Sequence, residues 1–256
     1  MSSLNELYNA GKKDIWENAS VAQLRYLQII AKLRRVETSL LKQCDMLFIP
    51  NDEYLALHCG KDIKQYEYGC YLQSDVCIWT GHLLIPIRDV AGYVRGFAGF
   101  HPFHYAEAKE TEDKSITYYS YSAKDVFPKS KYLYCPGNCY ERAIKDGYIF
   151  LVDGIFDAAS LWYAGFNAAA LMGSIPTEYI LMQLRFIRRV ILISDNDEAG
   201  YRLYINLKRQ LDNVALLKQG GTKDADELLK SKKREEFVQL LKTIVLGDDL
   251  IRISVF

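Results

Sequence analysis

The segment Ile191-Leu192-Ile193-Ser194-Asp195-Asn196-Asp197-Glu198-Ala199-Gly200 runs from an apolar stretch into two carboxylates one residue apart, then into a small-residue turn. A similar arrangement stands upstream, where Tyr148-Ile149-Phe150-Leu151-Val152 is followed by Asp153-Gly154 and then by Asp157. A third acidic pair, Asp224 and Asp226, follows the apolar run Val214 to Leu217. If these runs are strands of one parallel sheet, their carboxyl ends share an edge, which is where ligands bind in open α/β sheets. Carboxylates crowded there repel one another unless a cation is shared among them. Magnesium suits such a site, because it binds through one or two carboxylates and leaves room for phosphate oxygens. Each acid also has a plainer use, since Asp commonly caps a helix, and Asp157 taken alone fits that use best. Capping does not require acids after three successive strands.

Positioning these acids takes alternating strands and helices. The pattern predicts strand 148–152, helix 155–164 closed by Gly165, strand 168–171 and helix 177–186 announced by Ser174 and Pro176. It continues with strand 189–194, helix 199–210, strand 214–217, a Gly220-Gly221 loop and helix 225–241. Strands alternating with helices of this length imply βαβ units with right-handed crossovers and a mostly parallel sheet.

The first half reads differently. Residues 15–42 look largely helical, with Leu24, Leu27, Ile30, Leu33, Val36 and Leu40 recurring at threes and fours. Lys32, Arg34, Arg35 and Lys42 lie on the outer face, as a solvated surface or a nucleic-acid contact. Short strands follow from about 45 to 135. Leu83–Asp89 and Tyr93–Phe100 form a hairpin turned by Val90-Ala91-Gly92, with Pro86 marking an edge or bulge. Residues 104–115 are polar and read as an exposed loop, ahead of a strand at Ile116–Tyr121. Arg88, Arg95, Lys124, Lys129 and Lys131 are interleaved with Tyr118, Tyr119, Tyr121, Tyr132 and Tyr134. Bases stack on aromatic faces for about 1–3 kcal/mol each while basic groups follow the backbone. The same alternation also describes one buried face of a sheet. The expected architecture is an α+β N-terminal subdomain (1–145, helical to 44 and mixed from 45). An α/β domain (146–232) and a C-terminal helical tail (233–256) follow.

Composition limits the alternatives. With 256 residues, half of them hydrophobic and a quarter charged, the chain can bury a substantial core. Its formal net charge is zero, so a nucleic-acid partner must be met by a local basic surface. The N-terminus is polar without an apolar h-region, and no apolar run approaches the ~20 residues of a membrane span. A cytoplasmic location without a membrane partner is expected. The six cysteines (44, 59, 70, 77, 135, 139) lack matched C-x2-C pairs; Cys135-x3-Cys139 and His58-Cys59 stand without partners. Free thiols are expected and zinc is not. His58, His82, His101 and His104 show no ligand spacing.

Several of these motifs together resemble a known family. Val152-Asp153-Gly154-Ile155-Phe156-Asp157, Ala164-Gly165, Gly173-Ser174, Asp195-Asn196-Asp197-Glu198-Ala199-Gly200 and Lys223-Asp224-Ala225-Asp226-Glu227-Leu228 follow the order of the Toprim domain. That domain is shared by DNA primases, type IA and II topoisomerases, OLD-type nucleases and RecR-like proteins. Within the group the chain is most similar to DnaG-type primases of bacteria and phages. Ile85-Pro86-Ile87-Arg88-Asp89-Val90-Ala91-Gly92 with Gly96-Phe97, and Phe127-Pro128-Lys129-Ser130-Lys131-Tyr132-Leu133-Tyr134, resemble segments of the primase core; Thr117-Tyr118-Tyr119-Ser120 resembles a third loosely. Three features depart from the pattern, one being that the cysteine spacing offers no counterpart of the zinc-binding module that usually precedes the primase core. Asp153 stands where the family has glutamate, and the chain ends before the family's full C-terminal helical extension.

The resemblance implies template-directed synthesis of short RNA primers on single-stranded DNA, with magnesium or manganese as cofactor. It makes Asp153, Asp157, Asp195 and Asp197 the catalytic candidates, and Asp153, Asp195, Asp197, Asp224 and Asp226 the metal-binding ones. Arg88, Arg95, Lys129 and Lys131 become the nucleic-acid and nucleotide contacts. The implied partners are single-stranded DNA, ribonucleoside triphosphates, and a replicative helicase or a separate zinc-binding subunit. Two alternatives stay open: a Toprim nuclease, or a catalytically silent Toprim module that binds nucleic acid or a partner. No G-x4-G-K-[ST] motif suggests an OLD-type nuclease.

Overall fold

A computed structural model describes residues 3–48, 72–73, 76–77, 81–122, 127–173, 175–194, 197–218 and 224–247. Asp195, His58, Cys59, Cys70, Lys124, Ser174, the Gly220-Gly221 loop and Lys223 lie outside them. The chain forms two compact units, Met1–Lys129 and Ser130–Phe256.

The first unit opens with helices α1 (Ser3–Trp16), α2 (Val21–Arg34) and α3 (Thr38–Gln43). Residues 15–42 are largely helical as expected, with two breaks. Ser20 and Gln23 make a reciprocal capping box that starts α2, and Arg35 turns left-handed (φ 52°) to end it. Strands β1 (Leu47–Phe48), β4 (Leu83–Arg88), β5 (Val94–Phe100) and β6 (Tyr119–Tyr121) form an antiparallel sheet in that order, beside a short ribbon of β2 (Leu72–Gln73) and β3 (Val76–Cys77). The β4–β5 hairpin is as expected. Asp89 accepts from the N–H of Ala91 and Tyr93 (3.0 Å each), and Gly92 supplies the positive φ of 84° that the turn needs. β1 pairs only with Leu83 and Leu84, so Pro86 is paired on its β5 side, and a register shift follows between Ile87 and Arg88.

Residues 104–115, expected as a loop, are mostly helical: α4 spans Pro102–Thr111. Its signal was the start, not the periodicity. Pro102 occupies the first turn, and the His101 ring accepts from the His104 N–H at 3.1 Å. Only Pro102 of this helix is fully buried, which leaves no apolar stripe for a period to reveal.

The second unit alternates as expected: α5 (Cys139–Asp146), β7 (Tyr148–Val152), α6 (Ile155–Tyr163), β8 (Ala168–Ala170), α7 (Glu178–Arg185), β9 (Arg189–Ser194), α8 (Glu198–Gln210), β10 (Val214–Lys218), α9 (Ala225–Lys230) and α10 (Arg234–Leu246). All pairings in its sheet are parallel, in the order β10-β9-β7-β8. Ile149, Leu151, Ala169, Leu184, Val190, Leu192 and Leu207 pack into one core. Each fully buried Leu or Ile contributes about 1.5–3 kcal/mol, more than any exposed ion pair here. Tyr134 exchanges backbone hydrogen bonds with Ala170 (2.9 and 3.0 Å), tying the segment before α5 to the β8 edge. The helix expected over 225–241 is two helices, because the chain turns extended at Ser231. The guanidinium of Arg189, at the start of β9, caps the far end of α10 through the carbonyls of Ile244, Val245 and Gly247. Among the described residues no helix is long and apolar enough to cross a membrane.

Candidate active site

Parallel strands put their carboxyl ends on one edge, and β7 and β9 are neighbours there. Leu151 pairs with Leu192, so continuing that register sets Asp153 level with Ser194, one residue before Asp195. Asp153 is exposed, and the loop after β8 folds back on it. Leu171 N–H donates to the Val152 carbonyl (2.9 Å), Met172 N–H to the Asp153 carbonyl (2.9 Å) and Gly173 N–H to Asp153 Oδ1 (3.1 Å). Met172 and Gly173 both take left-handed φ values (57° and 67°) to do so. That geometry is cheap for glycine and costs of order 1 kcal/mol or more for methionine, a strain that gathers at functional loops. On the β9 side, Asp197 caps α8, its Oδ1 accepting from Gly200 N–H at 2.8 Å.

The remaining acids lie in the first turn of α6 and at the start of α9. α9 packs against α6, and the contact is polar at its centre. Asp226 is buried (6% exposed), its backbone N–H donates to Asp157 Oδ1 (2.9 Å), and its Oδ1 accepts from Ser160 Oγ (2.5 Å). Lys230, one turn on, pairs with Asp226 Oδ2. Asp157 itself lies over Gly154, where a Cβ would collide with its Oδ2. Asp224 caps α9, its Oδ1 accepting from Glu227 N–H at 2.7 Å.

Asp226, expected as a metal ligand, has the Ser160 hydroxyl on one oxygen and the Lys230 ammonium on the other. Among the described residues no three His, Cys, Asp or Glu side chains form a group fit to hold a metal ion. Asp195 lies outside that set. Asp153 and Asp197 bring carboxylates to the β7–β9 edge, one oxygen of each held by a backbone N–H. That hard-oxygen chemistry fits magnesium or manganese. Ser160, Met172 and Lys230 belong to none of the sequence motifs, whereas Gly173 stands in the Gly173-Ser174 motif. The only local cue was the spacing of four from Asp226 to Lys230, which puts both on one helix face.

The basic candidates divide. Arg88 is largely buried, donates to Tyr8 Oη (2.6 Å) and Asp45 Oδ2 (3.1 Å), and lies over the Tyr8 ring at 4.9 Å; Lys12 holds the other Asp45 oxygen at 2.7 Å. It is an internal tie rather than an open contact. Arg95 is half-exposed with two nitrogens on Asp89 Oδ2, each at 2.6 Å. Lys129 sits over the Tyr121 ring at 4.3 Å and Lys131 over Tyr179 at 4.6 Å. Tyr118 and Tyr119 pack around Phe100 (6.2 and 5.6 Å between ring centres), following the sheet-face alternative. Gly96 links the hairpin segment to the start of the segment at Phe127. The Phe127 ring lies where a Gly96 Cβ would stand, within 2.5 Å, so the bare backbone of β5 seats the residue two before Lys129.

Residues 150–229 match the Toprim-like family. Over 235 residues the chain is 25% identical to the DNA primase of Aquifex aeolicus, covering 83% of this chain and 44% of that one. It is 29% identical over 185 residues to the DNA primase of Thermotoga maritima, covering 69% of this chain and 31% of that one. The chain thus spans less than half the length of these relatives. In three dimensions it resembles a DnaG primase catalytic domain solved bound to single-stranded DNA, with a TM-score of 0.71 at 19% identity, over 94% of this chain and 77% of that one. The chain is thus similar in sequence to DNA primases, shares the fold of a DnaG primase catalytic domain, and matches the Toprim-like family at residues 150–229.

Proposed function

We propose that the chain is a primase catalytic core that synthesises short RNA primers on single-stranded DNA. The observation that carries the reading is the extent of the match. Similarity to DNA primases runs over 83% of the chain and through both units, whereas Toprim nucleases would share the second unit alone. Residues 146–232 are read as the metal-binding domain and 233–256 as its helical tail.

Joining two nucleotides is an in-line displacement in which a 3′-hydroxyl oxygen attacks the α-phosphorus and pyrophosphate leaves. Catalysis is then mostly positioning and charge neutralisation. Asp153, Asp195 and Asp197, with Asp224, are the residues that would hold magnesium or manganese, which supplies charge neutralisation at the phosphates when bound. Asp153, exposed and steadied by the Gly173 N–H, would accept the proton of the attacking hydroxyl. Asp157 orients the turn between β7 and α6. Lys129, Lys131 and Arg95 attract the phosphates of template and nucleotide, and Arg88, tied to Tyr8 and Asp45, supports the fold of the first unit. The proposed partners are single-stranded DNA, ribonucleoside triphosphates, and a replicative helicase or separate zinc-binding subunit, in the cytoplasm.

Incubation with single-stranded template, magnesium and labelled ribonucleotides tests the reading. Short RNA products are expected. Degraded template would indicate a nuclease, and neither product would indicate a silent binding module.

A further inference from the structure

The buried contact between α6 and α9 holds two groups that the proposed chemistry does not use. Ser160 Oγ donates to Asp226 Oδ1 at 2.5 Å, and Lys230 pairs with Asp226 Oδ2. Burying a carboxylate is costly unless it is paired and hydrogen-bonded, and here both conditions are met from within the fold. The peptide N–H of the same residue donates to Asp157 Oδ1 at 2.9 Å, and Asp157 in turn is pressed over the bare backbone of Gly154, the residue after Asp153. A continuous path therefore runs from Lys230 through Asp226 and Asp157 to the turn that carries Asp153. Asp224, two residues before Asp226, starts the same helix.

We propose that Asp226, Ser160 and Lys230 form a positioning brace for the acids of the sheet edge, with the Lys230 ammonium standing where a second metal ion would otherwise neutralise Asp226. Asp226 is then a positioning residue and not a metal ligand. The proposal rests on the metal-dependent reading above and specifies which carboxylates are left to the metal: Asp153, Asp195, Asp197 and Asp224.

The direction of one change separates the alternatives. If Asp226 were a ligand, Lys230→Met would remove a competing cation and tighten manganese binding. If Asp226 is a brace, Lys230→Met takes the ammonium from a buried carboxylate, slackens the α6–α9 contact and weakens manganese binding, by about tenfold on the scale of other supporting contacts to metal ligands. Manganese affinity of the full chain is read by the electron paramagnetic resonance signal of the free ion, and hydrogen exchange of the Asp226 amide is followed without metal. The brace predicts weaker binding and faster exchange in Lys230→Met, and restoration of both by Lys230→Arg. It also predicts partial recovery in the double variant Asp226→Asn with Lys230→Met, because replacing both partners leaves no buried charge. Tighter binding in Lys230→Met, or a double variant as weak as Asp226→Asn alone, would overturn it. Should Lys230→Met fail to fold, Ser160→Ala carries the test: slower exchange or unchanged affinity would refute the brace. A wild-type chain that binds no manganese would instead overturn the metal reading, and the exchange arm would still judge the brace.

Discussion

Asp153 is where this chain departs from the primase pattern, and the surrounding backbone bears on what that departure does. Three successive donors from the loop after β8 converge on Val152 and Asp153, and one of them, Met172, is held in a left-handed conformation to reach. A site fitted in this way to a short acid is expected to reject a longer one. Asp153→Asn should abolish primer synthesis. Asp153→Glu should also lower it, towards the ~10²-fold loss that a ~1 Å misplacement can cause. A faster Asp153→Glu enzyme, measured by initial rates of ribonucleotide incorporation, would mean that the site is weakened rather than refitted. Arg88 and Lys129 should part company in the same spirit. Truncating Arg88 strips partners from Asp45 and Tyr8, so Arg88→Ala should cost about 1–3 kcal/mol in urea unfolding. Lys129→Ala should change stability by no more than about 0.5 kcal/mol, the norm for a surface site. It should nonetheless weaken single-stranded DNA binding at low salt, with a shallower salt slope. These residues also mark what the sequence made legible. Acid types and spacings were readable because strand ends are local; that Ser160 meets Asp226 was not, because 66 positions separate them.

At the scale of elements, the α/β half was legible nearly strand for strand, since apolar runs bounded by Gly and Asp report buried parallel strands directly. The first half was less so. α4 lies on the surface with almost no buried side chain, and its helical character comes from His101 and Pro102 rather than from a period. That cap has a pH signature. Burial, together with the neighbouring His82 and His104 rings, pushes the His101 imidazole from 6.5 down to about 4. The folded unit therefore prefers the neutral ring, whose Nδ1 accepts the His104 N–H. A depressed histidine contributes stability that is present above its unfolded value and lost as pH falls from about 6.5 toward about 4. Thermal unfolding should show this loss in the wild type and a smaller one in His101→Asn, which keeps a capping oxygen without the titration. Gly96 is the other element-level test. Gly96→Ala should displace the Phe127 ring from β5 and lower both stability and DNA binding, and a smaller ring position filled by Phe127→Leu should relieve part of the strain.

At the scale of the whole molecule, the chain joins an antiparallel unit rich in tyrosine to a parallel unit whose strand ends carry acids. Net charge is zero, so association with nucleic acid must come from local patches that salt screens. The account's central claim is that the carboxylates after β7 and β9 hold a divalent ion for nucleotidyl transfer. Crystals soaked in manganese and measured at its absorption edge test it most directly. Anomalous density within about 2.0–2.3 Å of oxygens from Asp153, Asp195 or Asp197 is the predicted result, near the distances of hard divalent ions. Density only elsewhere, with these carboxylates bare or paired to lysines, would contradict it.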